Sequence, residues 1–181
     1  MKMLDVENSL LLVIDIQERL VASLDKDVIV SKVGKLVDAA NILDVPVVLS
    51  EQYPKGLGHT VPTISEKLKP ETPIVEKCSF SLLREEGFLD KIKAYGKKQI
   101  VICGIETHIC VHQTAAELMD AGFEVFVAKD ACASRNKYEF KQGIEAMHDN
   151  GAKISCLEII LFEWLRSAKN PKFKEVQVLI K

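Results

Sequence analysis

The 181-residue sequence predicts an α/β fold: three layers, α/β/α, around a six-stranded, mainly parallel, Rossmann-like sheet. Strand-like and helix-like segments alternate along the whole chain. The strand-like segments are short, β-branched and almost unbroken in apolar character, as in buried parallel strands. No internal repeat, low-complexity tract or linker interrupts them, so we expect residues 1–181 to form a single domain.

The predicted elements follow one another in a regular order. Six segments have the composition of strands: Ser9–Ile16, Val45–Ser50, Ile74–Glu76, Gln99–Cys103, Phe123–Ala128 and Ala152–Cys156. Helices are predicted in the intervening and following segments: Asp27–Leu43, Phe88–Tyr95, Thr107–Ala121, Lys137–Asn150 and Leu157–Ala168. Repeated strand–helix units of this kind form a parallel sheet with helices on both faces.

The helix predictions rest on apolar spacing and on end signals. Gly151 ends the fourth helix, and Pro171 follows the last. In the first helix, the apolar residues recur with the spacing of one helix face: Val28, Val33, Leu36, Val37 and Ala40.

One long stretch, Glu51–Thr63, is predicted to be irregular because it contains two prolines and two glycines. It leaves the carboxyl end of the second strand, so we expect it to border any crevice at that edge of the sheet. Gly56 and Gly58 do not form a dinucleotide-binding fingerprint, since they lack a third glycine at the right spacing and do not lead directly into a helix.

Composition excludes several classes of function. The formal charge of −2, without a Lys/Arg block, argues against nucleic acid as a partner. No apolar stretch approaches the roughly 20 residues that span a bilayer, and the first residues do not resemble a signal peptide. Five cysteines without a CxxC pair indicate reduced thiols. We therefore expect a cytoplasmic protein that acts on a small molecule, with no membrane partner.

Three ionisable residues of complementary type follow predicted strands. Asp15 ends the first apolar run, Lys77 follows the third strand, and Cys110 lies shortly after the fourth. Ligands of open parallel sheets bind outside the carboxyl ends of the strands, where the strand order reverses. We therefore expect a carboxylate, a lysine and a thiol to meet in one crevice.

Cys110 falls at the predicted start of a helix. Gly104 breaks the strand before it, and Thr107 is predicted to cap the helix. Unpaired N–H groups and the positive end of the helix dipole favour a thiolate in the first turn. Cys110 is thus a candidate nucleophile, whereas Cys103, in a buried strand, is predicted to be a core residue.

The motifs around these residues resemble those of the isochorismatase-like cysteine hydrolases along nearly the whole chain. They read Leu-Leu-Val-Ile-Asp15-Ile-Gln17, Val-Glu-Lys77-Cys-Ser-Phe-Ser and Gly104-Ile-Glu-Thr-His-Ile-Cys110-Val. The similarity is closest to the animal isochorismatase domain-containing proteins and their bacterial relatives. It is carried by residues 50–58 (Ser-Glu-Gln-Tyr-Pro-Lys-Gly-Leu-Gly), 129–135 (Lys-Asp-Ala-Cys-Ala-Ser-Arg) and 173–177 (Phe-Lys-Glu-Val-Gln).

The resemblance implies a chemistry as well as a fold. Nicotinamidases of this family carry an Asp-x-His metal motif after the second strand; this chain has Ser50-Glu51-Gln52-Tyr53, with only His59 nearby. Isochorismatases proper lack the cysteine. The resemblance therefore implies an amide-hydrolysing member with no metal and no cofactor, which cleaves a small amide or related C–N bond through a thioacyl-enzyme on Cys110.

Further residues take their roles from the resemblance. Asp15 would be the acid–base group, and Lys77 would remain charged and hold it in place. A cis peptide bond is implied between Ile105 and Glu106, and the amides of Glu106 and Cys110 would bind the oxyanion. The residues next to the motifs are candidates to line a substrate pocket: Gln17, Gln52, Tyr53 and Phe80.

A homo-oligomer is also expected, from family habit and from a final helix that is apolar on more than one face. That helix carries Ile159, Ile160, Phe162, Trp164 and Leu165. Trp164 itself reads as a core or interface residue.

The sequence also allows other interpretations of several residues and of the function. Asp130 and Cys132 also follow a strand and either contact substrate or serve in capping and turns. His108 and His112 have the spacing of a metal pair, although surface or core positions suit them better. The alternative function is a non-catalytic interaction protein on the same fold, in which Cys110 is idle or senses oxidants.

Overall fold

The computed structural model describes residues 3–24 and 26–181, with the backbone alone for Lys26 and Asp27. The strands are β1 (Ser9–Ile14), β2 (Val47–Gln52), β3 (Ile74–Lys77), β4 (Gln99–Ile105), β5 (Glu124–Ala133) and β6 (Lys153–Ser155). The α-helices are α1 (Glu18–Val21), α2 (Lys26–Ile42), α3 (Pro54–Leu57), α4 (Pro62–Ser65), α5 (Phe88–Ala94), α6 (His112–Asp120), α7 (Lys137–Asp149), α8 (Leu157–Leu165) and α9 (Phe173–Val178). A π-helical turn, Thr107–Val111, precedes α6, and short 3₁₀ turns lie at Val6–Asn8 and Leu82–Arg84.

All six strands form one sheet in the order β3-β2-β1-β4-β5-β6, and every neighbouring pair is parallel. The predicted six-stranded α/β fold is therefore confirmed. The strand order reverses between β1 and β4, so the topological switch point lies between these two central strands. All residues of β1 and β4 are buried, as the apolar runs predicted.

The helices cover the sheet in two groups. α2 contacts α4, α8 and α9, whereas α6 contacts α7. Trp164 of α8 is 1% exposed, and its indole N–H donates to Ser9 Oγ at 3.0 Å, which identifies it as a core residue. Val28, which was expected on the inner face of α2, is exposed.

The prediction that Glu51–Thr63 is irregular throughout is wrong in part. β2 continues to Gln52, and the segment beyond it contains two single helical turns, α3 and α4. Each turn begins at a proline, Pro54 or Pro62. Proline is well suited to the first helical position, because its fixed φ matches the helix and its missing N–H would have had no partner there.

The helix predicted from Thr107 to Ala121 is in fact two elements, the π-helical turn and α6. Glu106, not Thr107, is the residue that precedes the first turn, and the buried Thr107 hydroxyl has no hydrogen-bond partner among the described residues. Helix α9 was not predicted, because a six-residue helix carries too little periodicity to detect. No described helix is long and apolar enough to span a membrane.

Candidate active site

The site lies at the switch point, where β1 and β4 end side by side. Ile14 pairs with Gly104, and Asp15 is the next residue after β1. Asp15 has a φ of 52°, which lies in the left-handed region and redirects the chain over the sheet edge. Its N–H donates to the carbonyl oxygen of Ser50 at the end of β2, at 3.2 Å.

Asp15 and Lys77 form a fully buried ion pair. Lys77 Nζ lies 2.8 Å from Asp15 Oδ2, and neither side chain is exposed. The other carboxylate oxygen, Oδ1, accepts a hydrogen bond from Ser50 Oγ at 2.6 Å. Because a buried charge is costly unless it is paired and hydrogen-bonded, this pair requires partners on every side.

Lys77 has three further oxygen acceptors. Gln52 Oε1 lies 2.6 Å from Nζ, and the carbonyl oxygens of Ser79 and Phe80 lie at 3.3 and 3.2 Å. The ammonium group is thus held between the ends of β1 and β2 and the loop that follows β3. This arrangement supports the predicted role of Lys77 as a charged residue that fixes Asp15.

Cys110 lies in the π-helical turn, is 6% exposed, and points its thiol into the same cluster. Sγ lies 4.0 Å from Gln52 Oε1, and the charges of Asp15 and Lys77 both act on the thiol. Burial, followed by the negative charge of Asp15, raises the pKa of the Cys110 thiol to about 12, although Lys77 acts in the opposite direction. Burial therefore opposes the preference for a thiolate that the helix start predicts.

Gln17 and Gln52, two of the pocket candidates, are hydrogen-bonded to each other next to this cluster. The Gln17 amide accepts from the Gln52 N–H at 2.7 Å and donates to the Gln52 and Gly58 carbonyl oxygens at 2.9 and 2.6 Å. Gln17 is fully buried, whereas Gln52 directs its side-chain oxygen at Lys77 and Cys110. Of these two pocket candidates, Gln52 contacts Lys77 and Cys110, whereas Gln17 contacts the backbone of Gln52.

Two aromatic residues flank the cluster at the surface. Tyr53 and Phe80 are 54% and 52% exposed. The N–H of Tyr53 donates to the carbonyl oxygen of Lys77 at 2.8 Å, and the carbonyl oxygen of Phe80 is one of the Lys77 acceptors. The backbone of each residue thus contacts Lys77, and both side chains are exposed.

The peptide bond between Ile105 and Glu106 is cis, as the resemblance implied. Ile105 is buried, and Glu106 extends its carboxylate to Arg135, whose backbone N–H and Nε lie 2.9 and 3.5 Å from Oε1. The contact ties the turn that carries Cys110 to the segment after β5.

The remaining candidates lie outside the cluster. Asp130 accepts from the Leu157 N–H at 2.8 Å and pairs with Lys32 at 3.0 Å, so it serves the start of α8. Cys132 is buried, and the His108 ring bonds Ser134 Oγ at 2.9 Å. Among residues 3–24 and 26–181, no three His, Cys, Asp or Glu side chains are placed to share a metal ion.

Sequence reasoning missed Ser50 and Glu51. Glu51 is a buried carboxylate that accepts from the Thr60 N–H and hydroxyl, both at 2.7 Å, and from His59 Nδ1 at 2.9 Å. The signal that selected Asp15 and Lys77, a polar residue at the carboxyl end of a strand, was also present here, because the predicted second strand ends at Ser50 and Glu51 follows it.

Two cavities of the described residues lie away from this cluster. One of about 640 Å³ lies beside α2 and α4, and another of about 390 Å³ lies beside Cys132 and Arg135. Neither is lined by Asp15, Lys77 or Cys110.

A parallel sheet in the order β3-β2-β1-β4-β5-β6, with the site at its switch point, is a Rossmann-like α/β fold. The isochorismatase domain model matches residues 9–159, and the chain belongs to that family. Isochorismatase domain-containing protein 2 from Xenopus laevis is 41% identical over 153 residues, which cover 84% of this chain and 73% of that protein. The predicted subgroup is confirmed by this similarity.

Solved structures agree with the assignment. The MAR1 ribonuclease from Caenorhabditis elegans superposes with a TM-score of 0.93 and 37% identity, over 99% of this chain and 92% of that one. The Escherichia coli YcaC gene product, described as an octameric hydrolase of unknown specificity, gives a TM-score of 0.93 and 26% identity, over 98% and 89% of the two chains.

Proposed function

We propose that the chain is a cysteine hydrolase that cleaves a small amide or related C–N bond, with Cys110 as nucleophile, Asp15 as acid–base group and Lys77 as its charged partner. The observation that carries this proposal is that the Cys110 thiol shares a neighbour with a buried Asp15–Lys77 ion pair: Gln52 Oε1 lies 4.0 Å from Sγ and 2.6 Å from Lys77 Nζ. A lone structural cysteine has no need for a buried carboxylate and ammonium beside it.

The first step must remove a proton from a thiol that is protonated at neutral pH, since its pKa is about 12. Asp15 takes this proton as Sγ bonds to the carbonyl carbon, and the C=O π electrons move to the oxygen. The backbone amides of Glu106 and Cys110 are the proposed donors to that oxyanion.

The tetrahedral adduct then collapses. The C–N bond breaks, the nitrogen takes the proton from Asp15, and a thioester remains on Cys110. Asp15, again ionised, accepts a proton from water as the water attacks the thioester. The C–S bond breaks and the sulfur regains a proton, which releases the carboxylic acid and restores the site.

Lys77 is the proposed charged partner of Asp15 through both half-reactions. Its charge offsets that of the carboxylate inside a site without exposed surface, where an unpaired Asp15 would be strongly destabilised. Gln52 holds Lys77 through its side-chain oxygen and faces Sγ, so we propose that it orients the lysine and contacts the substrate.

The redox-sensor alternative receives less support. Sensor cysteines carry low pKa values and are accessible, because the thiolate is the species that oxidants attack. Cys110 is 6% exposed with a raised pKa. A thiol of this kind reacts only when a bound substrate and a base act on it together.

A small neutral substrate fits the charges near the site better than RNA. Glu18, Glu51 and Glu76 lie close enough to His59 to raise its pKa, Glu51 most strongly through its hydrogen bond. Carboxylates repel a polyanion, and the net charge of the chain is −2. RNA nevertheless belongs among the substrates to be tested.

We also propose that the protein is a cytoplasmic homo-oligomer. The similar octameric hydrolase supports the assembly, as do Ile159 and Phe162 of α8, which are 52% and 44% exposed. Ile160, Trp164 and Leu165 of the same helix are buried in the chain's own core, so only part of the predicted apolar surface is available to a partner.

The decisive experiment is mass spectrometry of the intact protein during turnover of a panel of small primary amides, with short RNA as a separate arm. We expect a mass increase equal to the acyl group, mapped to Cys110, present with EDTA and absent in Cys110→Ala. Turnover without any adduct at Cys110, or turnover that requires an added divalent ion, would overturn the proposal.

A further inference from the structure

We propose that Ser50 is a positioning residue of this site. It fixes the carboxylate of Asp15 in the orientation in which that group takes the thiol proton of Cys110. The inference rests on the proposed function, because it treats Asp15 as the proton acceptor.

The two oxygens of the Asp15 carboxylate have separate donors. Ser50 Oγ donates to Oδ1 at 2.6 Å, and Lys77 Nζ donates to Oδ2 at 2.8 Å. Rotation of the carboxylate about its Cβ–Cγ bond would break both bonds. The plane of the group is therefore fixed, and each oxygen retains a lone pair, one of which can accept the proton of the nearby thiol.

Ser50 also holds the backbone of Asp15. Its carbonyl oxygen accepts the Asp15 N–H at 3.2 Å, and the register pairs Ser50 with Ile14. Asp15 needs this support because its left-handed φ of 52° is sparsely populated by residues other than glycine. One residue of β2 thus restrains both the main chain and the side chain of the acid–base group.

Burial makes the hydroxyl difficult to replace. Ser50 and Asp15 are both 0% exposed, so bulk water does not reach Oδ1. If the Ser50 hydroxyl were removed, the buried Oδ1 would lose its hydrogen-bond donor. The carboxylate would then turn towards its remaining donor, Lys77 Nζ.

Lys77 alone cannot set the orientation. Its Nζ is shared among four oxygen acceptors, and an ammonium group offers three rotatable donors without a preferred plane. The Ser50 hydroxyl has a single proton to donate, and its described hydrogen bond goes to Asp15. Directional restraint comes from the serine, and charge comes from the lysine.

The test measures alkylation of Cys110 by acrylamide, followed by peptide mass mapping to separate it from the exposed Cys78. In this reaction Sγ bonds to the terminal alkene carbon, the π electrons move to the α carbon, and the thiol proton passes through Asp15 to that carbon. Nothing is oxidised and no group leaves, so the rate reports proton removal without requiring the natural substrate.

Two hydroxyl-free variants are compared with one that keeps the hydroxyl. We expect Ser50→Ala and Ser50→Val to slow alkylation about 10- to 100-fold, and Ser50→Thr, which is isosteric with valine, to stay within about three-fold of the unmodified protein. Ser9→Ala is the matched control. Ser9 is equally buried and hydrogen-bonded, but at the opposite end of β1, so its loss should lower stability and leave the rate unchanged.

Circular dichroism establishes which variants are folded. If Ser50→Ala is not folded, the alkylation rates of Ser50→Thr and Ser50→Val are compared instead. The inference is overturned if Ser50→Ala or Ser50→Val is folded and is alkylated as fast as the unmodified protein. It is also overturned if Ser50→Thr is alkylated as slowly as Ser50→Val. Asp15→Asn is measured in parallel. If Asp15→Asn does not slow alkylation, the proposed acid–base role of Asp15 is refuted. If Asp15→Asn slows alkylation and Ser50→Ala does not, only the positioning role of Ser50 is refuted.

Discussion

A Cβ added at Gly104 would lie 2.0 Å from the carbonyl oxygen of Ile14, closer than any side chain can approach. The φ of Gly104, 129°, is also one that L residues rarely adopt. The close approach of β1 and β4 at the switch point therefore requires a glycine at position 104. This glycine lies next to Asp15 and to the turn that carries Cys110.

Gly104→Ala should accordingly remove both stability and activity. The new methyl group must push β1 and β4 apart, and we expect a loss of about 3 kcal/mol or more in the free energy of unfolding. Urea denaturation checks this. Gly34→Ala is the control, because its Cβ would meet the flexible end of Lys67 at 3.3 Å and Ile64 Cδ1 at an ordinary contact distance of 3.5 Å, and alanine favours a helix interior. A Gly104→Ala protein as stable as Gly34→Ala would contradict the prediction.

Gly143 of α7 has a comparable relationship with the nucleophile turn. A Cβ there would lie 2.8 Å from His108 Cα and 3.0 Å from the Thr107 carbonyl carbon. Because these are backbone atoms, Gly143→Ala must displace the turn that carries Cys110. We expect turnover to fall by about 10-fold or more although the helix itself gains propensity. Kinetics on folded Gly143→Ala, beside Gly34→Ala, checks this; equal turnover in the two would contradict it.

Cys110→Ala should abolish turnover while the fold survives, because the nucleophile is lost and little core volume is removed. We expect a fall of at least about 1,000-fold in kcat. Cys78→Ala is the matched control, since Cys78 adjoins Lys77 but is exposed, and it should retain most of the activity. An inactive Cys78 variant beside an active Cys110 variant would show that the nucleophile has been misassigned.

Stability should decline at alkaline pH because of three buried thiols. Burial raises the pKa of Cys110 and Cys132 from the ordinary value of 9.0 to about 12, and it raises the pKa of Cys103 well above that ordinary value. Above pH 9 the unfolded chain releases these protons and the folded chain keeps them. The stability contribution is therefore complete below pH 9 and is lost as the pH rises, by up to about 1.4 kcal/mol per pH unit for each thiol.

Urea denaturation between pH 8 and 11 tests this effect. Cys132→Ala should make the decline shallower than in the unmodified protein, because one of the three thiols no longer titrates. The same slope in both proteins would mean that this thiol ionises as readily in the folded chain as in the unfolded one.

The exposed part of α8 gives a prediction for assembly. If Ile159 and Phe162 face a second copy, Ile159→Asp should reduce the oligomer size measured by light scattering at micromolar concentration, since a buried unpaired charge is costly. Val28→Asp is the control on α2, at a residue of similar exposure. A monomeric unmodified protein would refute the homo-oligomer itself.

Local pattern was enough to predict the sheet and the three ionisable residues of the site. Buried parallel strands are apolar on both faces, so β1 and β4 could be recognised without knowledge of their neighbours. The chain order of strands and helices then placed Asp15, Lys77 and Cys110 at one edge, because strands that run parallel have their carboxyl ends at the same edge of the sheet. The motif resemblance supplied the cis bond before Glu106, which no periodicity contains.

The protonation state of Cys110 and the supports of Asp15 were decided only by the tertiary structure. A thiol's pKa depends on how much water surrounds it and on charges from distant parts of the chain, and here burial outweighs Lys77. Ser50 lies 35 positions from Asp15, and its hydroxyl became a partner because strand register aligns the ends of β1 and β2. Sequence determines which residues reach the edge of the sheet; which atoms then face each other, and in what dielectric, follows from packing.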